Sequence, residues 1–191
     1  GATLRKPGAP AAGDAFGAAV AAVAGAVLVG APGDDRAATN AGAAFVFMGL
    51  PDAVVLLAPT PARGAAFGAA VAARGTELVI GAPGGTSGGR AYLMNAAGTT
   101  LRTYVDPRGG RAGDRLGFAV AASDDLVVIG APGAHVLAGA ALLFRGDAEG
   151  VALPSGGAAG DDFGYAVATR GGQILVGAPG DAGDAGRVVV F

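Results

Sequence analysis

Residues 66–84 read AFGAAVAARGTELVIGAPG, and this stretch decides the fold because it recurs three more times along the chain. The other copies are AFGAAVAAVAGAVLVGAPG at 15–33, RLGFAVAASDDLVVIGAPG at 115–133 and DFGYAVATRGGQILVGAPG at 162–180. In every copy the glycine of the opening dipeptide and the glycine of Gly-Ala-Pro lie 13 residues apart. Self-similarity at a fixed spacing is the sequence signature of a repeat architecture, in which each copy forms one structural unit.

The motif positions correspond in all four copies. They are Phe16, Gly17, Gly30 and Pro32; Phe67, Gly68, Gly81 and Pro83; Leu116, Gly117, Gly130 and Pro132; and Phe163, Gly164, Gly177 and Pro179. A third element, a glycine followed by an apolar run, closes each copy, so the copies span 16–47, 67–94, 116–144 and 163–191. Because the copies account for essentially the whole chain, residues 1–191 are interpreted as one domain.

Each copy predicts four short antiparallel strands. An alternating apolar segment follows Phe-Gly, a turn such as Gly75-Thr76 comes next, and a β-branched run such as 78–80 leads into Gly-Ala-Pro. The third element and a segment before the next Phe-Gly, such as 54–57, add two more strands. Four strands at a repeat of 47 to 51 residues is the period of a propeller blade, so the sequence predicts an all-β propeller of four blades.

The Phe-Gly and Gly-Ala-Pro pattern resembles the FG-GAP repeat of integrin α-subunit β-propellers and of many bacterial secreted and surface proteins. The resemblance implies a non-catalytic binding or adhesion scaffold that is extracellular or on the cell surface. Calcium-binding copies of that family carry an Asp-x-Asp/Asn-x-Asp-Gly-x-x-Asp loop, which supplies the six or more oxygens that Ca²⁺ requires. The corresponding segments here, such as AAVAGA and ATRGGQ, lack those carboxylates. The repeats therefore resemble the short, metal-free type, and we expect no metal and no other cofactor.

The two ends of the chain suggest how the propeller closes. Residues 2–4 read as a fourth-strand segment and residues 187–191 as a third-strand segment, so the N-terminal strand is expected to complete the last blade. The small residues of the inner strands suit a crowded axis, which favours a four-bladed monomer. Two alternatives stay open: a head-to-tail dimer that closes an eight-bladed ring as a purely structural module, and a segment of a longer propeller.

Composition excludes several classes of protein. Gly contributes 37 residues and Ala 48, yet 52% of the chain is hydrophobic, which excludes collagen and a disordered linker. The net charge of −2 disfavours nucleic acid as a partner, and the absence of cysteine excludes disulfides. Residues 15–33 are uncharged, but the sister copies carry charges at the same place, so no membrane span is expected.

Candidate ligand-binding residues lie in the loops that follow Gly-Ala-Pro, because propellers commonly use the loops of one rim for recognition. These residues are Asp34, Asp35, Arg36, Asn40, Thr86, Ser87, His135, Asp181 and Asp184. The expected partner is a protein or a glycan. Aspartates after Pro-Gly are also ordinary turn residues, which is the structural alternative.

Features that suggest catalysis have simpler explanations. Residues 85–89 match G-x-S-x-G, but a nucleophile elbow needs a following helix and a histidine, and His135 belongs to another copy. Asp14, Asp114 and Asp161 recur two residues before the opening dipeptide, where they are expected to accept backbone N–H groups. The tripeptide Arg-Gly-Asp at 145–147 is short enough to arise by chance. The sequence therefore predicts that the protein is not an enzyme.

Overall fold

The computed structural model describes residue 1, residues 3–49 and residues 52–191, and it contains four antiparallel sheets. The first sheet is β1 (Ala19–Val23), β2 (Ala26–Ala31), β3 (Ala43–Phe47) and β4 (Val54–Leu56). The second is β5 (Ala70–Arg74), β6 (Glu77–Ala82), β7 (Arg90–Asn95) and β8 (Thr100–Tyr104). The third is β9 (Ala119–Ser123), β10 (Leu126–Ala131), β11 (Ala140–Arg145) and β12 (Val151–Ala152), and the fourth is β13 (Ala166–Arg170), β14 (Gln173–Ala178) and β15 (Arg187–Val190).

Neighbours in sequence are neighbours in every sheet, so each repeat forms one blade with its strands in chain order. The first two strands of a blade join through a two-residue turn, in which Gly75 and Asp124 have φ of +57° and +49°. Positive φ at this position is typical of the tight hairpin turns that match the twist of the strands. Apart from the strand predicted at residues 2–4, the predicted strand and turn positions are confirmed.

Two short helical turns interrupt the loops, α1 (Ala134–Leu137) and α2 (Asp181–Asp184). The uncharged stretch at 15–33 forms the hairpin of β1 and β2. Within the residues that the structure describes, no helix has the length and apolar character needed to cross a membrane.

The blades pack face to face in chain order, and each interface is a separate apolar cluster. Between blades 1 and 2, Val46 and Leu56 pack with Ile80 and Tyr92. The cluster between blades 2 and 3 is centred on Val79, Leu93, Ile129 and Phe144, and that between blades 3 and 4 on Val128, Phe163 and Val176. A blade thus buries one face against its predecessor and the opposite face against its successor, which is the alternation expected of strands covered on both sides.

The two motif glycines meet across each interface. A Cβ on Gly30 would lie 2.0 Å from the carbonyl oxygen of Gly68, and Gly81 has the same relationship to Gly117 at 2.0 Å. Any side chain at these positions would collide with backbone, so only glycine allows the approach. The fixed spacing of the two glycines in each repeat therefore reflects the packing of one blade on the next.

Two expectations about the chain ends need correction. The fourth sheet has three strands instead of four, and residues 3–6 form no strand. Leu4 packs instead on the outer face of blade 1, in a cluster with Phe45, while Ala2 lies outside the described residues. The first strands β1, β5, β9 and β13 contact one another in that order, but among the described residues no comparable contact returns from β13 to β1. Within the described residues, the molecule is an all-β, propeller-like array of four blades in which no sheet closes on itself and closure of the ring is not seen.

Candidate binding rim

One edge of the array, here called the rim, consists of the loops after Gly-Ala-Pro and the loops before Phe-Gly or Leu-Gly. Backbone hydrogen bonds join the two kinds of loop between successive blades. The Gly64 and Ala66 N–H groups donate to the carbonyl oxygens of Thr39 and Asn40, at 2.9 and 3.1 Å. Asp162 N–H donates in the same way to the carbonyl oxygen of Leu137, at 2.9 Å. The rim is therefore a continuous surface to which every repeat contributes.

The repeated aspartates order the loops that lead into the inner strands. Asp14 accepts the Ala11 N–H at 2.5 Å, and Asp161 accepts the Ala158 N–H at 2.7 Å. Asp114 accepts the Arg111 N–H at 2.7 Å. Each carboxylate thus holds the backbone three residues earlier, as aspartate does in turns. The prediction that these residues accept backbone N–H groups is confirmed.

A charged cluster that the sequence pattern did not predict lies at the start of the rim. Lys6 Nζ lies 2.7 Å from Oδ2 of Asp14 and 2.7 Å from Oδ2 of Asp34, and all three side chains are largely buried. The Arg36 Nε group adds a bond of 2.9 Å to Oδ1 of Asp34, and its guanidinium lies 5.0 Å from the ring centre of Phe45. Two cations therefore neutralise the fully buried Asp34 carboxylate.

The pKa values in this cluster follow from these contacts. Burial alone would raise the pKa of Asp34, but hydrogen bonds from Arg36 and Lys6 outweigh it and the pKa is lowered. The Lys6 hydrogen bond and the Ala11 N–H lower the pKa of Asp14. Burial acts to lower the pKa of Lys6, yet the two carboxylates raise it overall. All three groups are therefore held in their charged forms.

The other candidate residues occupy the rim surface in different ways. Asp35 is exposed and accepts the Asn40 N–H at 2.6 Å, and Asp181 lies 2.8 Å from the Arg187 guanidinium. Both aspartates thus have structural partners as well as access to solvent. The remaining candidates with exposed side chains are Arg36, Asn40, Thr86, Ser87, His135 and Asp184. Asp34 alone lies beneath the surface.

Two clefts open on the rim between the loops. One, of about 240 Å³, is bordered by Thr60, Thr86, Ser87 and Arg90. The other, of about 430 Å³, is bordered by Asp106, Arg108, Arg111, Asp114 and His135. Pattern analysis missed Arg108 and Arg111 because their loop precedes the motif and its length differs between repeats.

The second cleft carries both fixed and free charges. The Asp106 carboxylate is paired with Arg108 at 2.8 Å, and hydrogen bonds from Arg108 lower the pKa of Asp106. Arg111 and His135 are exposed at its border. The cleft can therefore offer cationic and imidazole donors to a ligand beside an already satisfied ion pair.

The motifs considered for catalysis are dispersed. Ser87 borders the first cleft and His135 the second, so the elements of a nucleophile and its base lie in loops of different blades. The Arg-Gly-Asp tripeptide comprises the last residue of β11 and the start of the turn to β12, at the opposite edge of the array, where Arg102 donates a hydrogen bond to the Gly146 carbonyl oxygen. In the part of the chain that the structure describes, no three or more His, Asp or Glu side chains converge to hold a metal ion.

Comparison with known proteins identifies the repeat. The FG-GAP repeat family model matches residues 7–47, 106–144 and 149–191, which is more than half of the chain. The second copy lies outside these matches, although it forms the same four-stranded blade. No curated protein matches the sequence. A solved structure, the crystal structure of the computationally designed Ika4 protein, is similar with a TM-score of 0.62 at 18% identity, covering 98% of this chain and 95% of that chain. Its likeness concerns the fold alone, whereas the motif and the family matches show that this chain belongs to the FG-GAP repeat family.

Proposed function

We propose that the protein is a non-catalytic binding or adhesion scaffold, extracellular or on the cell surface, that engages a protein or a glycan through its rim. The observation that carries the proposal is the contrast between blades and rim. The blades repeat nearly the same apolar strands, whereas the loops after Gly-Ala-Pro differ in length, charge and conformation. Variable loops on a rigid scaffold are the usual site of recognition.

The cleft bordered by Arg108, Arg111 and His135 is the part of the rim best suited to a polar ligand. It combines concavity with the side chains of Arg111 and His135, for which the described residues show no side-chain partner, and such donors fix a ligand's orientation. The carboxylates of an acidic protein segment or an acidic sugar would match these donors. The cellular location rests on the known setting of FG-GAP proteins.

A binding screen of the intact protein against glycans and candidate protein ligands tests the proposal. Once a ligand is found, Arg111→Ala and His135→Ala are expected to weaken its binding about tenfold each, roughly the value of one charge-assisted contact. Arg145→Ala, at the end of β11 on the opposite edge, is the matched control and should leave affinity unchanged. Equal effects of Arg111→Ala and Arg145→Ala would contradict recognition by the rim.

The absence of catalysis is a separate part of the proposal. If any hydrolase activity is detected, Ser87→Ala and His135→Ala are expected to leave its rate unchanged, because the two side chains border different clefts. A loss of about a thousandfold or more in either variant would reveal a nucleophile or base and would overturn this part.

A purely architectural module is the second candidate, favoured by the exposed apolar face of blade 4. Such a module would bind nothing in the screen while associating with itself. The two candidates are therefore separated by the screen: a ligand held by the rim supports the first, and self-association without any ligand supports the second.

A further inference from the structure

The three interfaces inside the chain are built from the same parts, so they define what a complete blade-to-blade joint contains. A motif glycine of one blade touches the Phe-Gly or Leu-Gly glycine of the next, as Gly130 touches Gly164. A parallel bridge joins the glycine before the third strand to the next blade, as Gly139 joins Phe163. An apolar face of the second and third strands is buried at the same time. A fourth joint of this kind would join blade 4 to a copy of blade 1.

Blade 4 carries an unused half of such a joint. Val188 and Val190 of β15 are 63% and 59% exposed, whereas the residues at the same repeat positions in blade 1, Ala44 and Val46, are completely buried. A Cβ on Gly177 would meet nothing closer than the Ala166 Cβ at 3.6 Å. The position therefore keeps the glycine of the joint but lacks the backbone that it contacts in blades 1 to 3.

Blade 1 carries the complementary half. Val20 and Val27 are 65% and 38% exposed, although Leu78, which occupies the position of Val27 in blade 2, is fully buried. Phe16 is half-buried, whereas Phe67 at the same motif position is fully buried. A Cβ on Gly17 would meet no atom within 4 Å. These are the positions that face the preceding blade in each of the other repeats.

The N-terminal segment fits the missing strand of blade 4. In complete blades the fourth strand pairs with the third, through Ala44↔Leu56 in blade 1 and Ala91↔Tyr104 in blade 2. Leu56 and Tyr104 belong to the clusters that bury the next blade, and Leu4 packs on blade 1 in the same way. Leu4 thus stands where the last residue of a preceding fourth strand would stand, and among the described residues no fourth strand pairs with β15.

We propose that blade 4 of one chain docks onto blade 1 of a second copy, whose N-terminal segment adds the fourth strand to β15. The two surfaces are complementary and lie at opposite ends of the array, and β13 and β1 of one chain make no comparable contact among the described residues. Two such joints between two chains would close an eight-bladed ring. The joint does not depend on what the rim binds.

The absence of cysteine allows a direct test with the double variant Leu4→Cys/Val188→Cys. Residues at the corresponding positions of blades 1 and 2 are direct cross-strand partners. The Cβ atoms of such partners lie about 4.5–5.5 Å apart, which is wider than a disulfide but within reach of a short bifunctional thiol reagent. After treatment with such a reagent at micromolar concentration, we expect a covalent dimer of twice the 18.0 kDa chain mass on a denaturing gel. A cross-linked monomer would show closure within one chain, and a mixture without cross-links would show no joint. Either result would overturn the proposal.

Single-cysteine variants are the first control. In the proposed ring residue 4 meets residue 188 and not its own counterpart, so neither Leu4→Cys nor Val188→Cys alone should form a covalent dimer at the same concentration. If either single variant cross-links as efficiently as the double variant, the joint is not the one proposed.

A second measurement uses the wild-type interface. Val188→Asp should convert the dimer to a monomer in analytical ultracentrifugation, whereas Val151→Asp, at an equally exposed valine in β12, should remain dimeric. Because Val188 is exposed in the single chain, its variant should keep the wild-type far-ultraviolet circular dichroism spectrum. A folded Val188→Asp protein that dimerises like wild type would refute the proposed surface.

Discussion

The Cβ that Gly130 lacks would lie 1.9 Å from the carbonyl oxygen of Gly164 in the next blade. Neither side can yield, because the backbone of blade 3 would fix the position of the Cβ and the oxygen belongs to the backbone of blade 4. The close approach explains why each repeat keeps two glycines at a fixed spacing. It also makes the contact between blades sensitive to a single methyl group.

Gly130→Ala is therefore expected to lower the free energy of unfolding by about 1–3 kcal/mol or more, since blades 3 and 4 must separate to accommodate the methyl group. The matched control is Gly177→Ala, at the same motif position in blade 4, where the nearest atom lies at 3.6 Å. In the Val188→Asp background, where the docking face is blocked, this control should change stability by less than about 0.5 kcal/mol. Urea denaturation checks both, and equal losses would contradict the assigned interface.

Ala65 offers a test in which stability should rise. It occupies the motif position that Asp14, Asp114 and Asp161 hold in the other repeats. Its loop makes the same turn, with the Ala65 N–H donating to the Ala62 carbonyl oxygen at 3.1 Å. Ala65→Asp should supply the missing carboxylate for the Ala62 N–H and raise the free energy of unfolding by about 0.5–1 kcal/mol. Thermal and urea denaturation measure the gain.

Asp114→Ala is the reciprocal change and should cost a similar amount, because it removes the acceptor of the Arg111 N–H. Asp162→Ala, one residue after the motif aspartate of blade 4, is the control and should have little effect. If Ala65→Asp destabilises the protein while Asp114→Ala also does, the two loops are not equivalent.

The blades could be predicted from sequence because local signals agree with the fold. A turn dipeptide such as Gly75-Thr76 marks the start of the second strand, a β-branched run marks its body, and the proline of Gly-Ala-Pro marks its end. The ends of the chain could not be predicted in this way. Whether residues 2–4 pair with β15 depends on how the blades curve, which no local pattern encodes.

The candidate site was predicted only in outline. Loop position placed Thr86, Ser87 and His135 on the rim, but it could not distinguish the exposed Asp35 from the buried Asp34. The difference comes from Lys6, which lies 28 residues before Asp34 in sequence and reaches it through the fold. Long-range ion pairs of this kind leave no periodic signal.

Calcium is expected to leave the melting temperature unchanged at millimolar concentration. A ligand raises the stability of the folded state when its concentration is well above its Kd for that state. An unchanged melting temperature therefore reports weak or absent binding. Two of the aspartates in the loops after Gly-Ala-Pro already have cationic partners. Asp34 is paired with Lys6 and Arg36, and Asp181 is paired with Arg187. Magnesium serves as the control for nonspecific ionic effects. A rise of many degrees with calcium alone would reveal a site in these loops.

Lys6 is expected to govern how stability depends on pH. At neutral pH, Lys6→Met should lower the free energy of unfolding by about 1–3 kcal/mol, because it removes one of the two cations paired with the buried Asp34 carboxylate. Arg5→Met, at the exposed neighbouring cation, is the control and should cost less than about 0.5 kcal/mol.

The pH dependence follows from the direction of each pKa shift. The folded-state pKa values of Asp14 and Asp34 are lowered from 3.8, so their contribution is present above that value and is lost as pH falls through the folded-state values. The pKa of Lys6 is raised from 10.5, so its contribution is present below that value and is lost as pH rises through the folded-state value. Wild type should therefore lose stability at both low and high pH. Lys6→Met should remove most of the loss at high pH. It should only reduce the loss at low pH, because Arg36 still pairs with Asp34. Urea denaturation from pH 2 to 11 measures both limbs, and parallel profiles for the two proteins would show that the cluster does not couple folding to pH.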